Sequence, residues 1–206
     1  TQKIDLTNGE ILFRNEQKLN DFPEKITDKL AYWAEIQANK TFLARRKGNL
    51  GNWEHLSYGD AFQKVKAISQ YLIDLDFKDR LDNTYAAETI VILSENSFEH
   101  ALLSLAAVHI GIPYTPISPP YSLVSNDFGK LKHCLELMTP KLIFAQSGKT
   151  YQKALELAKT LFPNVVIITA DGENGKDFDS LLETKVTNQV EIEATKVNNE
   201  TVAKIL

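Results

Sequence analysis

The segment from Glu88 to Ser118, ETIVILSENSFEHALLSLAAVHIGIPYTPIS, leaves few folds open. Ile90, Val91, Ile92 and Leu93 form an unbroken apolar run rich in β-branched residues, the pattern of a strand covered on both faces. Ser94 to Asn96 break it. From Ser97 to His109 the sequence is apolar nearly all round, so the helix it predicts lies between two layers rather than on the surface. Gly111 stops that helix. Tyr114 to Ser118 then gives a short second strand, which Pro113 introduces and Pro119 with Pro120 terminate. Strand, buried helix and strand in this order read as a βαβ unit.

The flanking sequence repeats the rhythm. Before the unit, Glu10 to Arg14 alternates and is followed by a loop with Asn20, Asp21 and Pro23. Thr27 reads as an N-cap for a helix that buries Leu30, Trp33 and Ala34 and runs to about Ala38. Thr41 to Lys47 and Asn52 to Leu56 read as a hairpin joined across Gly48 to Gly51. Ser57 caps the next helix, whose stripe is Ala61, Val65, Ile68, Leu72 and Leu75, and polar residues 78–87 link it onward. After the unit come a helix marked by Phe128, Leu131, Leu135 and Met138, a strand at Leu142 to Ala145, a helix marked by Tyr151, Ala154, Leu155, Ala158 and Leu161, and a strand at Val165 to Ile168. The sum is an α/β fold with a largely parallel sheet, helices on both faces and a small N-terminal hairpin. Residues 171–200 turn acidic and amide-rich and read as an exposed connection, with a single helical turn at Phe178, Leu181 and Leu182. Thr201 to Leu206 begins a new apolar strand, which reads as the interior of a longer chain.

Charge and composition narrow the function. With 23 basic and 27 acidic residues the net charge is −4, and no basic patch offers itself to nucleic acid or to an anionic membrane surface. No apolar run approaches the ~20 residues of a membrane span. The lone Cys134 excludes a disulfide framework and fits a reducing, cytoplasmic setting, where it reads as an inert buried thiol. His55, His100, His109 and His133 show no metal-binding spacing, and His109 reads as a cap on its helix C-terminus. Glu95 and Glu99 sit at a strand-to-helix turn, where the helix dipole favours acids. Ser147-Gly148-Lys149-Thr150 follows a strand and precedes a helix, where an anion would be welcome, but Ile143 stands where a phosphate loop needs glycine. An ordinary helix start competes with a weak anion site there. Gly172 to Lys176 fails the same pattern.

The segment Glu95 to Leu102, continued by Val108-His109-Ile110-Gly111-Ile112-Pro113-Tyr114-Thr115-Pro116-Ile117-Ser118-Pro119, resembles the N-terminal part of the adenylate-forming acyl-CoA synthetases. Pro120-Tyr121-Ser122-Leu123-Val124-Ser125, Asp127 to Leu131, the helix Asp28 to Gln37 and Thr41-Phe42-Leu43-Ala44 are similar to feruloyl-CoA synthases in particular. The similarity runs from about Leu12 to Leu206 and is weakest over the acidic connection. It implies that residues 1–206 are an incomplete N-terminal, AMP-binding-type subdomain. The phosphate loop expected after Thr201 to Leu206, the adenine, ribose and Mg²⁺ motifs and the C-terminal lid would then lie outside it. The intact enzyme so implied activates a hydroxycinnamic acid such as ferulate with ATP and Mg²⁺, passes through an acyl-adenylate, and transfers the acyl group to CoA; this segment alone would be inactive and would name no catalytic residue or metal ligand. By the same resemblance Ser118, Pro119, Tyr121, Gly148 and Lys149 wall the CoA entrance. The competing reading of that loop is a rigid strand-to-helix connection with Tyr121 packed. A non-catalytic α/β module binding an anion at Ser147 to Thr150 is the alternative for the whole chain. Expected partners are the rest of its own chain and a small aromatic acid, with neither nucleic acid nor membrane and with room for a homodimer.

Overall fold

The computed structural model describes residues 2–18, 20–46, 51–79, 81, 87–125 and 127–206. Two antiparallel hairpins come first: β1 (Gln2–Asp5) with β2 (Ile11–Arg14), and, after α1 (Ile26–Ile36), β3 (Thr41–Arg46) with β4 (Trp53–Ser57). The next elements are α2 (Tyr58–Asp74), β5 (Thr89–Leu93), α3 (Phe98–His109), β6 (Tyr114–Pro116), α4 (Pro119–Leu123), α5 (Gly129–Met138), β7 (Pro140–Ala145), α6 (Gln152–Leu161) and β8 (Val166–Thr169). The chain closes with β9 (Lys176–Asp177), α7 (Asp179–Leu182) and α8 (Gln189–Ala194). The five central strands form one parallel sheet in the order β6-β5-β7-β8-β9.

Side-chain alternation along these strands divides the core in two. Ile90, Ile92, Leu142, Phe144 and Ile168 face α2 and α3, whereas Val91, Leu93, Ile143 and Ala145 face α5 and α6. Every residue of β5 is buried, as its continuous apolar run requires. The stripe Ala61, Val65, Ile68 and Leu72 of α2 is wholly buried, and the helix begins where Ser57 Oγ accepts the Asp60 N–H at 3.1 Å. Gly111 follows α3 at φ +75° in close approach to Leu81, a conformation and a space that exclude a β-carbon.

Five expectations need correction. Thr27 is not a cap: α1 starts after Lys25, and Thr27 is fully buried, its Oγ1 3.1 Å from His109 Nδ1. His109 accordingly serves that buried pair rather than the end carbonyls of its helix. Pro119 and Pro120 do more than stop a strand, because they open α4, where proline's fixed φ suits the first helical turn. The stretch 171–200 is exposed at most positions and has its expected helical turn as α7, but it also carries β9 and α8, and buried Phe178, Leu181, Val190, Ala194 and Val197 pin it. Phe178 packs edge-on against Phe144 at 5.5 Å, and the Lys25 ammonium donates to the Ala194 carbonyl, tying α8 back to the start of α1. Lastly, Thr201 to Leu206 is not a buried strand. Lys204 bridges to Tyr114 in parallel, with Tyr114 N–H donating to Ala203 O at 3.2 Å and Ile205 N–H to Tyr114 O at 3.0 Å, while Leu206 remains 97% exposed. The loop 48–50, the end of its strand at Lys47 and most of the link 78–87 lie outside the described residues.

Candidate functional site

The strand order creates the site. β5 leads into α3 on one face, whereas β7 leads into α6 on the other, so the chain leaves the carboxyl ends of two adjacent strands in opposite directions. Ligands of open α/β sheets bind at such a divergence. Here the gap is bridged by Gln146, whose Oε1 accepts the Glu95 N–H at 3.1 Å and lies 3.4 Å from the Ser94 hydroxyl. Burial, reinforced by the charge of Glu95, pushes the phenol of Tyr151 above its ordinary pKa.

Next to this divergence, α4 meets the start of α6. A pocket of about 310 Å³ opens between them, lined by Ser122 to Ser125 and Phe128 on one side and by Lys149, Thr150, Gln152 and Lys153 on the other. Two ammonium groups and the N-terminal end of a ten-residue helix give it a positive lining. Ser122 is 5% exposed, and its Oγ has no hydrogen-bond partner among the described residues.

Of the five residues singled out from the sequence as an entrance wall, Lys149 alone lines this pocket, and it is exposed. Ser118 is exposed just before α4, Pro119 is half-buried as its first residue, and Tyr121 packs into the core beneath α5, with the Lys130 ammonium 5.2 Å from its ring centre. Gly148 is buried and structural: a β-carbon there would collide with the Glu173 carbonyl. Sequence reasoning missed Ser122 and Lys153. Ser122 carries no motif, and Lys153 reads as an ordinary solvated lysine until α4 is seen to lie beside it.

The turn from Ser147 to Thr150 is not an open anion cradle. The Asp171 carboxylate accepts the Gly148 N–H at 2.9 Å and the Glu173 N–H at 3.1 Å, and Asn174 Nδ2 donates to Gly148 O at 3.0 Å. Partial burial pushes the Asp171 carboxyl up, but hydrogen bonds from Gly148, Ser147, Glu173 and Thr169 outweigh it and hold the pKa below the ordinary value. The protein thus supplies its own anion to this turn. Glu99 is bound by Arg45, whose Nη1 lies 3.2 Å from both of its carboxylate oxygens, so the dipole of α3 is only part of its surroundings. Among the described residues no three His, Cys, Asp or Glu side chains gather to hold a metal.

A parallel sheet flanked by helices, with a polar pocket beside its divergent strand ends, is an α/β fold that matches the N-terminal part of acyl-CoA synthetase-like folds. The chain belongs to the AMP-binding enzyme family, whose model matches residues 30–206. Solved structures agree on the fold. A long-chain-fatty-acid CoA ligase, so assigned, from Rhodopseudomonas palustris superposes with a TM-score of 0.60 at 18% identity over 80% of this chain and 37% of its own. The luciferase-like enzyme of the nonluminescent mealworm Zophobas morio gives 0.58 at 17% identity over 78% and 34%. The fatty acyl-adenylate ligase of L. pneumophila, solved with acyl adenylate and pyrophosphate, gives 0.53 at 16% identity over 79% and 25%. The chain therefore spans between a quarter and about two-fifths of the length of such relatives. A search of curated protein sequences finds no match. The β1–β2 hairpin precedes the matched region.

Proposed function

We propose that this chain is the N-terminal subdomain of an AMP-forming acid–thiol ligase that activates a hydroxycinnamic acid such as ferulate and transfers it to CoA. The substrate carboxylate attacks the α-phosphate of ATP, giving an acyl-adenylate and pyrophosphate; the CoA thiolate then attacks the acyl carbon and AMP leaves with the bonding electron pair. Mg²⁺ would accompany ATP, and among the described residues no three His, Cys, Asp or Glu side chains gather to hold it. What this chain contributes is scaffold and a wall. Lys149 and Lys153 complement the phosphates of CoA, and the Ser122 hydroxyl, without a partner among the described residues, offers a further hydrogen bond. The family match over residues 30–206 carries the reading, and the lysine-lined pocket supports the CoA role.

The test is a thioester-forming assay with ferulate, ATP, Mg²⁺ and CoA on a protein of the length of the solved relatives and on this chain alone. Activity is expected only in the longer protein. Replacing Lys149 and Lys153 together by Ala should raise the KM for CoA about tenfold, a loss of roughly 1.4 kcal/mol, and leave the KM for ferulate unchanged. A longer protein that is folded yet inactive with ferulate and with other aryl acids would refute the aryl-CoA assignment.

A further inference from the structure

A second cavity, of about 490 Å³, lies on the opposite face of the sheet, between the β3–β4 hairpin and the N-terminal half of α3. Phe42 and Leu43 form one wall, Phe98, Ala101 and Leu105 the other, and Tyr114 closes one end. This volume suits a small organic molecule. Both walls carry aromatic rings, and the small Ala44 and Ala101 leave a slot between them.

The charges around the slot are already satisfied. Arg45 Nε donates to Glu54 at 2.8 Å, its Nη1 pairs with Glu99 at 3.2 Å, and the guanidinium sits 4.4 Å from the Phe98 ring centre. This latch holds the hairpin against α3 and neutralises its own cation, so the cavity has little to offer an ionised ligand. Among the described residues that line the cavity, one buried side-chain oxygen is unsatisfied. Ser104, a lining residue, is 9% exposed, and its Oγ has no hydrogen-bond partner among the described residues. An unmade hydrogen bond of that kind is a standing cost that a ligand's polar atom would relieve.

We infer that this cavity binds a flat, uncharged aromatic molecule with one hydroxyl or carbonyl group, its rings between Phe42 and Phe98 and its polar atom on Ser104 Oγ. That oxygen is shut off from solvent in this conformation and turns into the slot to meet the ligand. The site is separate from the α4–α6 pocket, and the inference stands whether or not the ligase reading holds.

The probe is 2-naphthol, titrated to about 1 mM into isotopically labelled protein while backbone amide shifts are followed. The expected result is saturable shifts confined to the hairpin and to Phe98 through Leu105. Ser104→Ala should weaken 2-naphthol about fivefold, the worth of one neutral hydrogen bond, and leave naphthalene unaffected. Ala101→Trp should fill the slot and abolish binding; Leu43→Trp does the same from the hairpin side should the first variant not fold. The charged analogue 2-naphthoate should bind more weakly than 2-naphthol. Absence of shifts at the top concentration, shifts located elsewhere, or equal affinity in the Trp variants would overturn the site. Equal 2-naphthol affinity in Ser104→Ala would overturn the assigned hydrogen bond.

Discussion

His109 makes the fold sensitive to acid in a way that a substitution can isolate. The ring is 4% exposed; its Nδ1 lies 3.1 Å from Thr27 Oγ1, its edge meets Phe62 at 5.8 Å, and its Nε2 has no partner among the described residues. Burial, with smaller contributions from the ammonium groups of Lys25 and Lys66 and partly opposed by Asp28, lowers its pKa from 6.5 to about 4. The folded pKa is depressed, so the unfolded chain binds this proton first. The contribution of neutral His109 to stability is therefore fully present above pH 6.5, and declines as pH falls from there to about 4. Between pH 7 and 4.5 the loss amounts to roughly 2 kcal/mol. Carboxylates add their own slope, so the measurement is a comparison: urea denaturation of the native protein and of His109→Gln at half-unit steps from pH 7.5 to 4.5. The variant is expected to be less stable at pH 7, through loss of packing against Phe62, but its stability should fall less steeply below pH 6.5. Parallel curves for the two proteins would refute the argument, since they would show that the imidazole titrates alike folded and unfolded.

Two further substitutions test the framework around the site. Gly148→Ala should lower stability by more than about 2 kcal/mol, because the Glu173 carbonyl occupies the space and is held by the Thr169 hydroxyl at 3.0 Å; an unchanged thermal midpoint would show that the 171–175 loop yields freely. Ser57→Ala should cost about 1 kcal/mol in urea denaturation through loss of the Asp60 N–H bond, and a loss below a few tenths would mean that another group caps α2.

Much of the central architecture was legible because its signals are redundant. In β5 and α3, the run of Ile90 to Leu93, the polar break at Ser94 to Asn96, the all-round apolarity and the stop at Gly111 point the same way, and the structure follows each of them. Legibility failed where one residue type serves two purposes. A threonine before an apolar stripe looks like a cap, yet Thr27 lies one residue inside α1 and pairs with a histidine 82 positions away, a contact no local pattern encodes. Val190, Ala194 and Val197 keep the spacing of one helix face, but three apolar residues among acidic and amide ones are too few to outweigh that composition, although each is buried. The apolar residues of Thr201 to Leu206 suggested burial, but a segment bridged to the sheet edge only at Tyr114 leaves most of its side chains exposed.

The site was legible only in pieces, and the topology explains why. Ser122 and Lys149 are separated in sequence by the whole of α5 and β7, and the pocket exists because β6 and β7 flank β5 on opposite sides while α4 and α6 share one face of the sheet. Its lysines are ordinary by sequence; their meaning comes from the neighbour that the crossover brings. The same crossover assigns the glycine a different task from the one its motif suggested. Gly148 does not open the turn to a ligand phosphate but admits the 171–175 loop, whose Asp171 then takes the N–H that a phosphate would have used. With the turn locked from behind, Lys149 is presented outward toward α4 on a fixed base. Binding at the α4–α6 pocket should therefore depend on the integrity of the Asp171 contact, although Asp171 does not line that pocket.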